Sequence, residues 1–160
     1  MSGKNILIVT ASMGSGHNKA ANAVAEAIKR KYPANKIDVV DFMSTETAYF
    51  NSLVKDIYLK MLDHTPSVYE FFYKFTADAG KGSMLQTVFA HAMKKDMKEL
   101  INKYAADMLI CTHPFPVAAA SYLKQTGGIN IPIITVVTDF CFHQFWFYKN
   151  IDIYFVASEQ

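Results

Sequence analysis

Apolar and polar positions alternate along this chain in two distinct rhythms. Asn5 to Thr10 (N-I-L-I-V-T) is a short β-branched run, the pattern of a strand buried on both faces of a parallel sheet. A loop of small residues, Ala11 to Gly16, follows. From His17 the apolar positions Ala20, Ala21, Val24, Ala27 and Ile28 repeat at helical spacing. Lys29-Arg30-Lys31 suits the negative end of that helix dipole, and Pro33 stops it. Lys36 to Asp41 (K-I-D-V-V-D) reads as a second strand, so the first forty residues form a right-handed β-α-β unit.

The stretch from about residue 44 to 105 has no Val/Ile-rich run and predicts a helical insertion. Leu53, Ile57, Met61 and Leu62 share one helix face, and Pro66 breaks it. Val68, Phe71, Phe72 and Phe75 mark a second short helix, ended by Gly80 and Gly82. Met84 to Tyr104 predicts a third, with Leu85, Val88, Phe89, Ala92, Met93, Met97, Leu100 and Ile101 on one stripe. The strand rhythm then returns at Asp107–Thr112, Ile131–Thr138 and Asp152–Ala157. A short helix, Val117–Gln125, lies between the first two and is closed by Gly127-Gly128. These elements predict an α/β fold: a Rossmann-like open parallel sheet with helices on both faces. No covering helix follows the last strand before Gln160, which leads us to expect that these 160 residues are part of something longer.

Composition narrows the class. Hydrophobic residues make up 51% and charged residues 19%, against a usual charged share of about 25%. A formal charge of +2 is too balanced for a dedicated nucleic-acid binder, whose affinity comes from neutralising phosphates. Two cysteines exclude a disulfide-stapled secreted scaffold. The apolar run Ile6–Val9 is too short for a signal peptide, and no stretch reaches the length of a membrane span. A cytoplasmic setting is the expectation. Twelve Phe, nine Tyr, eight Met and one Trp, many near lysines, fit a core with ordinary exposure or a lipid-contacting surface.

In an open parallel sheet, ligands bind beyond the C-terminal ends of the strands. Four stretches converge there: Gly14-Ser15-Gly16-His17, Asp41, Thr112 to Pro116, and Thr138 to Trp146. Glycines 14 and 16 permit a tight turn and close backbone approach, and the helix that follows offers free N–H groups to an anion. As a dinucleotide fingerprint the turn is incomplete. Lys19 stands where the third glycine belongs, and Asp41 lies 25 positions past Gly16, where about 20 is usual.

His17 opens a helix, where the dipole disfavours imidazolium, and a neutral imidazole there suits a general base. Asp139, at the same edge, is the candidate partner for its ring. A capping or packing histidine is the competing reading of His17. His113, between Thr112 and Pro114, reads as a turn residue stiffened by two prolines. Trp146, amid Phe140, Phe142, Phe145 and Phe147, reads as a lipid-interface or sugar-face residue rather than core. The four candidates His17, His113, Asp139 and His143 have no tight metal-ligand spacing, so no metal site is expected. Cys111 reads as core and Cys141 as a loop thiol without a motif, and Ser12 and Ser15 lack a nucleophile elbow.

The opening I-L-I-V-T-A-S-M-G-S-G-H-N-K-A-A-N-A-V, the T-H-P-F-P, the V-V-T-D-F-C-F-H-Q-F-W-F and the closing Y-F-V-A-S-E resemble the N-terminal domain of the monogalactosyl- and processive glucosyl-diacylglycerol synthases. The resemblance runs over essentially all 160 residues, in order. It implies half of a two-domain GT-B glycosyltransferase: an acceptor- and membrane-binding domain over 1–160, with the donor domain absent from this chain. Such an enzyme transfers a hexose from a UDP-sugar to diacylglycerol or a glycosylated diacylglycerol. It needs no cofactor or metal, and it sits peripherally on an anionic membrane. The resemblance implies His17 as the base on the acceptor hydroxyl. It places Gly14 and Gly16 near donor phosphates or acceptor, and the loop of Asp139, His143 and Trp146 at the border of the acceptor site; Ser15 joins the first group and His113, Phe115 and Phe140 the second as candidates at the same edge. By itself the domain would be inactive. The rival readings are an NAD- or other nucleotide-binding oxidoreductase domain and a non-catalytic lipid-binding module.

Overall fold

The computed structural model describes residues 3–12, 15–44, 79–139 and 146–157. The helices expected from Leu53 to Phe75, and the loop residues Gly14, Phe140, Cys141 and His143, lie outside them.

Strand β1 (Asn5–Thr10) runs into helix α1 (Ser15–Lys31), then strand β2 (Lys36–Asp41) and a 3-10 turn, Phe42–Ser44. Helix α2 spans Ala79–Lys103, strand β3 Met108–Cys111 and helix α3 Pro114–Gln125. Strands β4 (Ile133–Val136) and β5 (Ile153–Phe155) complete the described elements. All five strands are parallel, in the order β2-β1-β3-β4-β5. The α/β open-sheet expectation holds.

Both faces of the inner strands are covered, as their apolar runs require, whereas the edge strands β2 and β5 keep Val39, Ile153 and Phe155 exposed. Ile6, Ile8, Ile37 and Ile110 meet Ala21 and Ala25 of α1, whose small side chains let the helix lie close to the sheet. On the other face Leu7, Val9, Leu109, Cys111 and Ile133 pack against Met93, Met97, Leu100 and Ile101 of α2. Val117, Ala119, Ala120 and Leu123 of α3 join the same cluster.

Several boundaries differ from the sequence reading, β3 and β5 each being shorter at both ends. Helix α2 begins at Ala79 and contains Gly80 and Gly82, which the sequence reading placed at the end of a preceding helix. A helical glycine costs about 1 kcal/mol but is not sterically barred, and the buried stripe Met93, Met97, Leu100 and Ile101 anchors the helix. Helix α3 begins at Pro114, three residues before Val117, because proline in a first turn gives up only N–H groups that have no helical partner. Strand β4 is trimmed at both ends. The end of α3 was legible. Gly127 has φ +72°, its N–H bonds to the Lys124 carbonyl, and the Gly128 N–H bonds to the Leu123 carbonyl at 2.8 Å. That pair of bonds closes the helix as a Schellman turn.

The chain leaves β1 toward β2 on one side and returns to β3 on the other. The loops after β1 and β3 therefore diverge, opening a crevice at the C-terminal edge between them.

Candidate functional site

Helix α1 begins in that crevice, which puts His17 in its first turn, half-buried. Its Nδ1 lies 2.9 Å from the main-chain oxygen of Thr112, just past β3, and 2.6 Å from Oγ1 of Thr138, just past β4. A carbonyl oxygen only accepts, so Nδ1 carries the ring hydrogen of the neutral imidazole and Nε2 carries the lone pair. Thr112 holds the residue twice, because its hydroxyl also donates to the His17 carbonyl at 3.1 Å. Among the described residues nothing hydrogen-bonds to Nε2.

His113 packs edge-on against His17, ring centroids 4.5 Å apart. It is buried, and it is the N-cap of α3, its Nδ1 accepting from the Phe115 N–H at 3.2 Å. The sequence reading of a stiff turn is thus corrected: the two prolines form the first turn of α3 and His113 caps it. Burial, and then the adjacent His17, hold the His113 imidazole well below its ordinary 6.5. Phe115 lies edge-on to His113 and is partly buried between the core and the small cluster of Ala11 and Met43.

A pH dependence follows. Below about 6.5 the unfolded chain binds a proton at His113 that the folded chain refuses. Stability falls as pH drops from there toward the depressed folded value, by at most about 1.4 kcal/mol per pH unit for one group. His113→Asn keeps a capping oxygen and removes the titration. We expect urea midpoints between pH 7 and 5 to decline less in that variant than in the wild type.

Two site expectations are overturned. Asp139 is not the partner of the His17 ring. Its Oδ2 accepts from Trp146 Nε1 at 2.7 Å, while the His17 Nδ1 position is taken by Thr112 and Thr138. Trp146 is not an interfacial residue. It is fully buried in the α2/α3 core, and its only polar atom is satisfied by Asp139. The large apolar side chains that are exposed include Tyr32, Phe147, Ile153 and Phe155.

The turn before His17 is braced from β2. Asp41 Oδ1 accepts from the N–H groups of Ser12 (3.1 Å) and Met43 (2.9 Å), and Oδ2 accepts from the Ser12 hydroxyl. Asn18 links Ser12 Oγ to Thr10 Oγ1. Both carboxylate oxygens of Asp41 are thus occupied within the chain, which weakens its reading as a ribose-binding acid. Asp41→Ala strips the turn of these acceptors. We expect a loss of about 1 kcal/mol in urea unfolding, since the Ser12 donors are exposed and water can take the place of the lost acceptor.

Ser15 and Gly16 form the exposed start of α1. A Cβ at Gly16 would meet no atom within 4 Å, so nothing inside the described chain requires glycine there. Cys111 is buried and its thiol is pushed up by desolvation, as suits a core residue. No group of three His, Cys, Asp or Glu side chains converges as a metal cluster among the described residues. No described helix is long and apolar enough to cross a membrane. The sequence reading missed Thr112 and Thr138 as site residues. Its signal was present: the first, third and fourth apolar runs each close on threonine at the same edge, V-T, C-T and V-T.

The chain matches the family model for monogalactosyldiacylglycerol (MGDG) synthase over residues 17–160. It is 30% identical over 154 residues to the processive diacylglycerol beta-glucosyltransferases of Bacillus cereus (strain B4264), Bacillus cytotoxicus and Bacillus thuringiensis (strain Al Hakam). The matched segment is 96% of this chain and 39% of those relatives, so the chain spans about two-fifths of their length. No solved structure matches it significantly.

Proposed function

Since the chain belongs to the monogalactosyldiacylglycerol synthase family, we propose that it is the acceptor-binding domain of a glycosyltransferase. The enzyme transfers a hexose from a UDP-sugar to diacylglycerol, or to a glycosylated diacylglycerol, at a membrane surface. A second domain binds most of the donor, and the reaction takes place in the cleft between the two.

The observation that carries this reading is the setting of His17. Its Nδ1 is engaged by Thr112 and Thr138, which leaves the Nε2 lone pair as the ring's basic site, at the crevice where β1 and β3 diverge. In the reaction Nε2 takes the proton of the acceptor hydroxyl. The hydroxyl oxygen forms a bond to the anomeric carbon, the bond from that carbon to the phosphate oxygen breaks, and UDP departs with the electron pair. His113 stays neutral beside it, so the charge that develops on His17 meets no second imidazolium. Exposed Phe147, Ile153, Phe155 and Val156, and exposed Lys98 on α2, are among the described side chains of the types that suit an anionic lipid surface.

The test is a chimera in which this chain replaces the matched segment of the Bacillus cereus relative. With labelled UDP-glucose or UDP-galactose and vesicles containing diacylglycerol, it is expected to form labelled glycolipid. A folded chimera that binds such vesicles but forms no product from either donor would reduce the domain to a lipid-binding module.

A further inference from the structure

We propose that Thr138 is a positioning residue for His17: its hydroxyl oxygen, with the main-chain oxygen of Thr112, takes the Nδ1 hydrogen and fixes the tautomer that leaves Nε2 open to a proton. This rests on the reading of His17 as the base.

The geometry is specific. The Thr138 oxygen is the shorter of the two contacts, 2.6 Å against 2.9 Å. With an unprotonated Nδ1, its lone pair would face the lone pairs of the Thr112 carbonyl at 2.9 Å, which is repulsive. With Nδ1–H both oxygens accept, and the Thr138 hydroxyl hydrogen turns toward the Thr112 carbonyl, 3.5 Å away. Among the described residues no carboxylate bonds to the ring, and Asp139 accepts from Trp146 instead. Together the two oxygens do the work usually given to an acid: the Thr112 carbonyl selects the tautomer, and the Thr138 hydroxyl, as second acceptor, holds the ring plane. Both bonds strengthen when Nε2 gains its proton, because Nδ1–H then belongs to a cation. The holder is itself fixed, since Thr112 is fully buried and its hydroxyl is bonded to the His17 carbonyl.

Long-range ¹H–¹⁵N spectra of the chain with ¹⁵N-labelled histidine test this directly, comparing wild type, Thr138→Val and Thr138→Ser. The wild type and Thr138→Ser are expected to show His17 as the Nδ1–H tautomer. Thr138→Val, equal in shape but without the oxygen, is expected to keep Nδ1–H, held by the Thr112 carbonyl, and to move the Nδ1–H proton resonance upfield as one of its two acceptors is lost. In the chimera, Thr138→Val is expected to lower kcat roughly tenfold with KM unchanged, the loss of one hydrogen bond. Thr138→Ser should restore it.

An Nε2–H tautomer in the wild type would overturn the proposal, and so would a Thr138→Val variant identical to wild type in both readouts. If Thr138→Val fails to fold, Thr138→Ala, which also lacks the hydroxyl, is read in the same way. If the spectra behave as expected but a His17→Ala chimera transfers hexose at the wild-type rate, the base reading fails and the coupling of Thr138 to His17 stands.

Discussion

Replacing His17 by alanine is expected to lower kcat of the chimeric transferase by about 10²–10⁴-fold, the span a positioned general base contributes. The KM values for donor and acceptor should move little, because the lone pair acts on a proton in flight and is no anchor for either substrate. The fold should tolerate the change. His17 is half-buried in the first turn of α1, and the hydroxyl of Thr112 still reaches the main-chain carbonyl at that position. Vesicle binding should therefore survive in the same variant. Initial rates over a range of acceptor contents, with flotation run in parallel, make the measurement. A rate within twofold of wild type would remove His17 from the chemistry and favour the lipid-binding module.

Trp146→Ala is expected to cost about 3–5 kcal/mol, the range for a large aromatic removed from a packed core. The ring is fully buried in the cluster that also holds Leu7, Met93, Val117 and Ile133. Truncation opens a cavity and leaves the Asp139 carboxylate without its N–H donor. Trp146→Phe keeps most of the volume and loses the hydrogen bond, so it should cost markedly less. Urea unfolding followed by circular dichroism gives both values. The chain has a single tryptophan, so wild-type emission reports on this site alone. The ring is already out of water, so its emission should be blue in buffer and should hardly change when vesicles are added. A strong further shift on vesicles would place the ring at the bilayer and contradict its burial.

The sheet was legible because its signal is local. Ile6-Leu7-Ile8-Val9 carries the apolar run of a strand buried on two faces, Lys36-Ile-Asp-Val-Val-Asp41 the more polar run of an edge strand with only Ile37 buried, and both strands fall where the runs do. His17 at the ligand edge was legible for the same reason, since topology places it there once the β-α-β unit is granted. Its partner was not. Thr138 and Asp139 are neighbours in sequence, and which one faces the histidine depends on how β4 leaves the sheet, which no local pattern encodes. Chemical prejudice favoured the acid over the hydroxyl. Pro114 and Pro116 misled in a similar way. Proline reads as a breaker, yet at a helix start its fixed φ and missing N–H are assets, and the cap that would have signalled the start is a histidine rather than Ser, Thr, Asp or Asn. Trp146 was misplaced because an aromatic-rich loop looks wet by composition, whereas one of its rings turns inward to a carboxylate seven residues away.

The pairing of β1 has a consequence for how the chain acquires its fold. Ile6 pairs with Ile37 on one side and with Met108 on the other. The first partner is close along the chain, so β1, α1 and β2 can assemble quickly as a local unit. The second requires closing a loop of about a hundred residues, an entropic cost paid before its contacts repay it. During synthesis on the ribosome β1, an interior strand of the finished sheet, therefore waits as an edge, one row of its amides and carbonyls unpaired, until β3 has emerged. Over that interval the most buried strand of the finished domain is its most aggregation-prone.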